Sequence, residues 1–166
     1  YGTPSESLCD RFARVDKQEF GDIKGITDKG YYDNSFHVSS RINMSPFEKL
    51  RLEALGHKYS AGGHISYIET DSLTKNLEAI PEILKYAKMV GIHYMGINQP
   101  VDKCHICGYK GEFTATKEGF TCPQCGNHDS NEMSVIRRVC GYLSQPNARP
   151  FNKGKQEEIM HRVKHS

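Results

Sequence analysis

Cys104-His105-Ile106-Cys107-Gly108 and Cys122-Pro123-Gln124-Cys125-Gly126 are two Cys-x-x-Cys knuckles separated by 14 residues. Each is followed by glycine, which lets the backbone turn sharply so that both sulfurs of a knuckle face one ion. Between them, Glu112-Phe113-Thr114-Ala115-Thr116 and Gly119-Phe120-Thr121 read as two strands joined by a turn at Lys117-Glu118. The pattern predicts a zinc ribbon: four thiolates from Cys104, Cys107, Cys122 and Cys125, tetrahedral and closed, hence structural and not catalytic. Iron in a four-thiolate site is the chemical competitor. His105 and His128 lie beside the ligands but are not needed in a four-coordinate site, and both read as surface histidines.

The remaining two cysteines, Cys9 and Cys140, do not complete a disulfide framework, which would scatter its cysteines through a shorter, loop-rich chain. Paired knuckles in a polar chain whose first residues show no leader pattern point to a reducing, cytoplasmic setting. The absence of an initiator Met suggests a piece of a longer chain. Its 166 residues allow one domain, or a domain with an appendage. The mean hydropathy is −0.63, yet Leu, Ile, Val, Phe and Tyr are spread throughout, which argues against disorder. No apolar run approaches the roughly 18–20 residues of a membrane span. The net charge of +2 announces no nucleic-acid partner, and its basic excess lies in residues 132–166, with seven basic and three acidic side chains.

Three segments follow. Residues 1–99 alternate helices and strands. A helix start at Pro4-Ser5-Glu6-Ser7 carries Leu8, Phe12 and Val15, and a loop holds Gly21, Gly25 and Gly30. Ser35–Val38 is a short strand, and Ser45-Pro46 opens a helix with Leu50, Leu52 and Leu55. Gly62-Gly63-His64 turns into a strand at Ile65–Ile68. Leu73–Met89 is helical with Leu77, Ile80, Leu84 and Ala87 on one face, and Ile92–Ile97 is again a strand. The alternation predicts α/β architecture with parallel strands, too few to close a barrel by themselves. His64 reads as a surface or core histidine. Residues 100–131 are the ribbon. Residues 132–166 hold a short apolar strand, a Gly/Pro/Asn loop and a basic helix from about Lys155.

Taken alone, Arg137-Arg138-Val139-Cys140-Gly141-Tyr142-Leu143 is a strand end and a glycine turn. Together with Asn147-Ala148-Arg149-Pro150-Phe151-Asn152-Lys153-Gly154-Lys155-Gln156-Glu157-Glu158 it resembles the glycyl-radical loop of the anaerobic (class III) ribonucleotide reductases. The ribbon with its 14-residue gap, Tyr1-Gly2-Thr3-Pro4-Ser5-Glu6-Ser7-Leu8 and Gly62-Gly63-His64-Ile65-Ser66-Tyr67 match the same family, so that the resemblance covers essentially the whole chain, and bacteriophage members are similar.

The resemblance implies that 1–99 is a segment of a ten-stranded α/β barrel, followed by the ribbon at 100–131 and the radical loop with its C-terminal helix at 132–166. It implies that Gly141 carries a stable radical. Loss of one α-hydrogen leaves a centre delocalised between an electron-donating amide nitrogen and an electron-withdrawing carbonyl, and a side chain would crowd it. A separate activase using S-adenosylmethionine and an iron–sulfur cluster would install the radical. The reaction implied is reduction of ribonucleoside triphosphates, with formate as the common reductant. The helix start at Thr3, Ser5, Glu6 and Ser7 reads from sequence alone as an ordinary N-cap, but the resemblance implies a cradle for substrate phosphates. The family's thiyl cysteine has no counterpart here, so this segment alone is expected to be inactive and to need the upstream reductase and a homodimer partner. Cys140 and Cys9 read as small packed residues. Two other readings are weighed. A pyruvate formate-lyase type enzyme shares the loop but not a ribbon before it. A zinc-ribbon nucleic-acid module would use Lys153, Lys155, Arg162 and Lys164, but Glu157 and Glu158 interrupt that run.

Overall fold

A computed structural model describes residues 8–33, 37–60, 63–73, 76–139, 142–144 and 152–165. Thr3, Ser5, Glu6, Ser7, Cys140 and Gly141 lie outside the described residues. The chain forms two compact units, one from Tyr1–Asn34 with Val101–His161, the other from Ser35–Pro100 with Arg162–Ser166.

The second unit is a strand–helix–strand repeat behind a capping helix. Helix α2 (Pro46–His57) starts where expected, with Pro46 in the first turn and the Ser45 hydroxyl accepting the Glu48 N–H at 3.1 Å. Strands β1 (Ser66–Glu69) and β2 (Met95–Asn98) pair in parallel, Ser66 opposite Met95 and Glu69 opposite Asn98. Parallel neighbours need a crossover, and helix α3 (Ala79–Val90) supplies it. The core is Leu50, Ile68, Ile83, Ala87 and Ile92, flanked by Ala54, Tyr86, Val90 and Met95. Expected and observed elements differ in detail. Helix α3 begins at Ala79, so that Pro81 falls in its first turn, where no N–H is required. It ends on Gly91 at φ 89°, a left-handed cap suited to glycine. The buried stripe is Ile83 and Ala87, one helical turn apart, while Leu77 and Leu84 face solvent. Leu52 and Leu55 are likewise exposed, because only Leu50 of that trio sits on the inner face of α2. Ser35 and Phe36 lie outside the described residues, and His37 and Val38 are irregular. The tail joins this unit: Val163 N–H donates to Ser40 O at 2.8 Å, and His165 exchanges bonds with the Glu69 backbone, N–H to O at 2.8 Å and Glu69 N–H to Nδ1 at 2.9 Å.

In the first unit, helix α1 (Cys9–Phe20) packs Cys9 and Ala13 inward, while Phe12 and Val15 are exposed. Strands β3 (Asp102–Cys104), β4 (Lys110–Gly111) and β7 (Met133–Ser134) form an antiparallel sheet in the order β4-β3-β7. Strands β5 (Thr114–Thr116) and β6 (Gly119–Thr121) form the predicted hairpin. Strands β8 (Arg137–Val139) and β9 (Tyr142–Ser144) pair with Val139 opposite Tyr142. Helix α4 (Lys153–His161) starts at an N-cap bond from the Lys155 N–H to Asn152 Oδ1 at 2.9 Å.

Small residues set the approach of α1 to α4. A Cβ on Gly154 would lie 2.8 Å from Cys9 Sγ and 2.9 Å from Tyr31 Cβ, inside any real contact distance. The cysteine sulfur can turn away, but Tyr31 Cβ is fixed to its backbone. Gly154→Ala is therefore expected to destabilise by about 1–3 kcal/mol through overpacking, although alanine favours a helix by about 1 kcal/mol. Urea titration of wild type and variant measures the balance.

Candidate metal centre

The knuckles are built alike. Gly108 N–H donates to Cys104 O at 3.1 Å and Gly126 N–H to Cys122 O at 2.9 Å, with the glycines at φ 75° and 73°. That left-handed conformation is the one each reversal requires. Each turn closes on the residue beyond: Cys104 N–H donates to Tyr109 O at 2.9 Å, and Cys122 N–H to Asn127 O at 2.8 Å. The hairpin β5–β6 returns the chain so that the knuckles face each other. The four Sγ atoms lie within 4.8 Å of one another. Cys104 and Cys125 are 3.7 Å apart, as are Cys107 and Cys122. A disulfide would require about 2.05 Å. A tetrahedron with metal–sulfur bonds of about 2.3 Å has edges of about 3.8 Å, so the sulfurs already stand at metal-binding separation. Cys104 and Cys122 are buried, Cys107 is half-buried and Cys125 is exposed.

The electrostatics favour a cation. Backbone N–H groups of Cys107 and Ile106, with the Asn127 amide, hold the Cys104 thiol down at about 6. For Cys107 the Tyr109 N–H pulls the same way, but burial and three neighbouring sulfurs outweigh it and push the thiol up to about 12. Four sulfurs cannot all ionise side by side without a central positive charge, so a metal would displace the retained protons. His105 and His128 are exposed and stand outside the cluster, as the four-ligand reading requires.

A feature that sequence reading missed fastens the ribbon to β8. Asp102, on β3, is buried; its Oδ2 accepts the Phe113 N–H at 2.8 Å and its Oδ1 accepts the Ile136 N–H at 3.2 Å. Oδ1 also takes the Arg137 guanidinium, whose Nη2 donates to Phe113 O at 3.3 Å and which lies over the Phe120 ring at 5.2 Å. The strand ending at residue 139 is thus tied to the metal-type cluster through a buried ion pair. The only hint in the sequence was a lone acid before the first knuckle and an arginine pair after the second.

Three cations of the C-terminal segment are engaged within the chain. Arg162 meets Glu69 at 3.3 Å, Lys164 meets Asp71, and buried Lys155 lies 3.5 Å from Glu158. Cys9 is buried beside Asn152, its Sγ 3.8 Å from Oδ1, and burial raises the thiol despite nearby Lys155. Among the described residues, no helix is long and apolar enough to cross a membrane.

Mixed helix and strand with a four-cysteine cluster able to hold a metal defines the class of this chain. Its sequence matches the family described as anaerobic ribonucleoside-triphosphate reductase over residues 1–165, and the chain belongs to that family. It is 52% identical over 165 residues to the anaerobic ribonucleoside-triphosphate reductase of Escherichia coli (strain K12), covering 99% of this chain and 23% of the relative. It is 50% identical over 165 residues to that of Enterobacteria phage T4, covering 99% of this chain and 27% of the relative. The chain thus spans about a quarter of the length of these relatives. A solved structure titled anaerobic ribonucleotide reductase shares the fold, with a TM-score of 0.70 at 23% identity over 98% of this chain and 24% of the other.

The Asp102–Arg137 pair predicts a large loss on breaking one side. Asp102→Ala strands a buried guanidinium and two backbone N–H groups, an expected cost of about 3–5 kcal/mol. A double replacement, Asp102→Leu with Arg137→Met, should recover part of it because no unpaired charge remains. Thermal unfolding of the single and the double variant against wild type checks this.

Proposed function

We propose that this chain is the C-terminal part of an anaerobic reductase that converts ribonucleoside triphosphates to deoxyribonucleoside triphosphates, with Gly141 as its radical-bearing residue. The observation carrying the proposal is the family match across residues 1–165 together with the four-cysteine cluster tied to β8. Strands β8 and β9 pair on either side of residues 140 and 141, which suits a loop that must hold one glycine in a fixed place.

In this reading Cys104, Cys107, Cys122 and Cys125 hold a structural zinc ion, closed to substrate by its four thiolates. The chain's own residues then act by position. The ribbon and the Asp102–Arg137 pair hold β8, and β8 holds the approach to Gly141. Glycine serves because removal of an α-hydrogen atom leaves a planar centre with no side chain to obstruct it. The radical is installed by an activase using S-adenosylmethionine and an iron–sulfur cluster. It is passed to a cysteine elsewhere in the enzyme, so this segment acts only within the assembled, dimeric reductase. Thr3, Ser5, Glu6 and Ser7 are proposed to receive substrate phosphates at a helix N-terminus. Residues 1–99 are proposed as a segment of a ten-stranded barrel, 100–131 as the ribbon and 132–166 as the radical loop and tail. The location is the cytoplasm. The pairing of Arg162, Lys164 and Lys155 within the chain disfavours a nucleic-acid module.

Anaerobic activation of the full-length reductase should give a glycyl doublet by EPR that is absent in Gly141→Ala. Exposure to air should then cut the activated wild type at residue 141, as read by mass spectrometry. An undiminished doublet in the variant would refute the assignment. Cys122→Ser should lose the bound zinc and lower the radical yield. A normal yield in zinc-free protein would separate the ribbon from the loop.

A further inference from the structure

A second convergence of ligand atoms lies in the unit built on residues 35–100. An imidazole nitrogen from each of His37 and His64 and a carboxylate oxygen of Glu53 lie within 4.8 Å of one another. They come from three segments: the irregular stretch before α2, the inner face of α2, and the approach to β1. The Glu53 side chain is fully buried, and His37 and His64 are nearly so.

The carboxylate is only half satisfied. Glu53 Oε1 accepts the Val38 N–H at 2.9 Å, faces His37 Nδ1 at 3.7 Å and takes the Lys49 ammonium. Oε2 is buried and has no hydrogen-bond partner among the described residues. The Ser66 hydroxyl accepts the His57 ring proton and keeps its own proton for the Glu53 carboxylate. His57 Nδ1 accepts the His93 N–H at 3.2 Å, which leaves the ring proton on Nε2 to bond Ser66 Oγ at 3.0 Å. Burial pushes the Glu53 carboxyl up, but Lys49, His37 and Ser66 outweigh it, so the group stays ionised at neutral pH. Burial also drives His37 down to about 4 and lowers His64, which leaves both imidazoles neutral, the form that binds metals. The rings are held in place: His64 stacks on His57 at 4.2 Å and meets His37 edge-on at 5.1 Å, and His37 stacks on Tyr67 at 5.8 Å.

An ion pair with Lys49 needs one carboxylate and one ammonium. It does not require two neutral imidazoles from distant segments to converge on that carboxylate. We propose that His37, Glu53 and His64 form a site for a divalent first-row transition metal ion, distinct from the four-cysteine cluster. Two imidazoles and one carboxylate suit zinc or ferrous iron. With metal–ligand bonds of about 2.0–2.2 Å, tetrahedral ligands stand about 3.4 Å apart, so small side-chain rotations would close the site. Three protein ligands leave a fourth position open. Lys49 neutralises Glu53 in the metal-free chain and competes with the ion for the same carboxylate. It would favour an anionic group at the open position once the ion is bound.

That competition makes the site testable without any reference to reductase activity. Zinc titration of the full-length protein, with bound metal counted by elemental analysis after dialysis, should find separate ions lost in Cys122→Ser and in His64→Gln. His64→Gln and Glu53→Gln should each weaken the second ion at least about tenfold. Lys49→Met keeps all three ligands and removes the competing charge, so it should tighten that ion, again about tenfold or more. Should the glutamate variant fail to fold, the lysine and histidine variants still decide. No zinc beyond that lost in Cys122→Ser, a second ion indifferent to His64→Gln, or binding weakened or unchanged by Lys49→Met would overturn the proposal.

Discussion

The buried carboxylate of Asp102 joins pieces that would otherwise be independent. A ribbon of about thirty residues has only a small interior, here Phe113, Met133 and Val135 beside the buried cysteines, and a three-residue strand such as β8 has little to hold it. Asp102 accepts N–H groups from Phe113 and Ile136 and the guanidinium of Arg137, so one side chain fixes the entry to the hairpin, the exit from the ribbon and the start of β8. Such a pair contributes little net stability against an apolar replacement, because both charges have lost their water. Its effect is geometric: the three segments satisfy it in one arrangement.

The cysteine cluster works by a related constraint. Its sulfurs are preset at 3.7 Å by two glycine turns and a hairpin, before any ion is considered. Crowding four thiols in this way is unfavourable without a cation, and the opposed displacement of Cys104 and Cys107 expresses that. A metal ion held by the four sulfurs would supply the missing positive charge. Through Asp102 and Arg137 the same ordering reaches β8, so a change at the cysteines should be felt at the loop after residue 139.

The other unit spends its interior differently. Beside an aliphatic core of Leu50, Ile68, Ile83, Ala87 and Ile92 it buries Lys49, Glu53, His57, His64 and Ser66. Buried charge and imidazole are costly to keep, and here they sit where α2 meets β1. The tail adds a third strand-like contact at the end of β1, where His165 bonds the Glu69 backbone on one side and β2 bonds β1 on the other.

The cysteine spacing, the hairpin between the knuckles, the Ser45-Pro46 helix start and the parallel strand–helix–strand order were legible in the sequence, because each rests on local chemistry: glycine at a left-handed turn, proline in a first helical turn, alternation in a short strand. The inner faces of the helices were not. Cys9, Leu50 and Ala87 are buried as their positions suggested, but Phe12, Val15, Leu55 and Leu84 have the spacing of a core stripe and lie exposed, while Ala13 and Ile83 are buried, since burial depends on which element arrives opposite. Asp102 with Arg137, and His37 with Glu53 and His64, were invisible for the same reason. Their partners are separated by 35, 16 and 11 residues in the chain, and only the tertiary fold brings such groups within bonding distance. The sequence by itself determined which chemistry was available; the packing of strand on helix decided which residues share it.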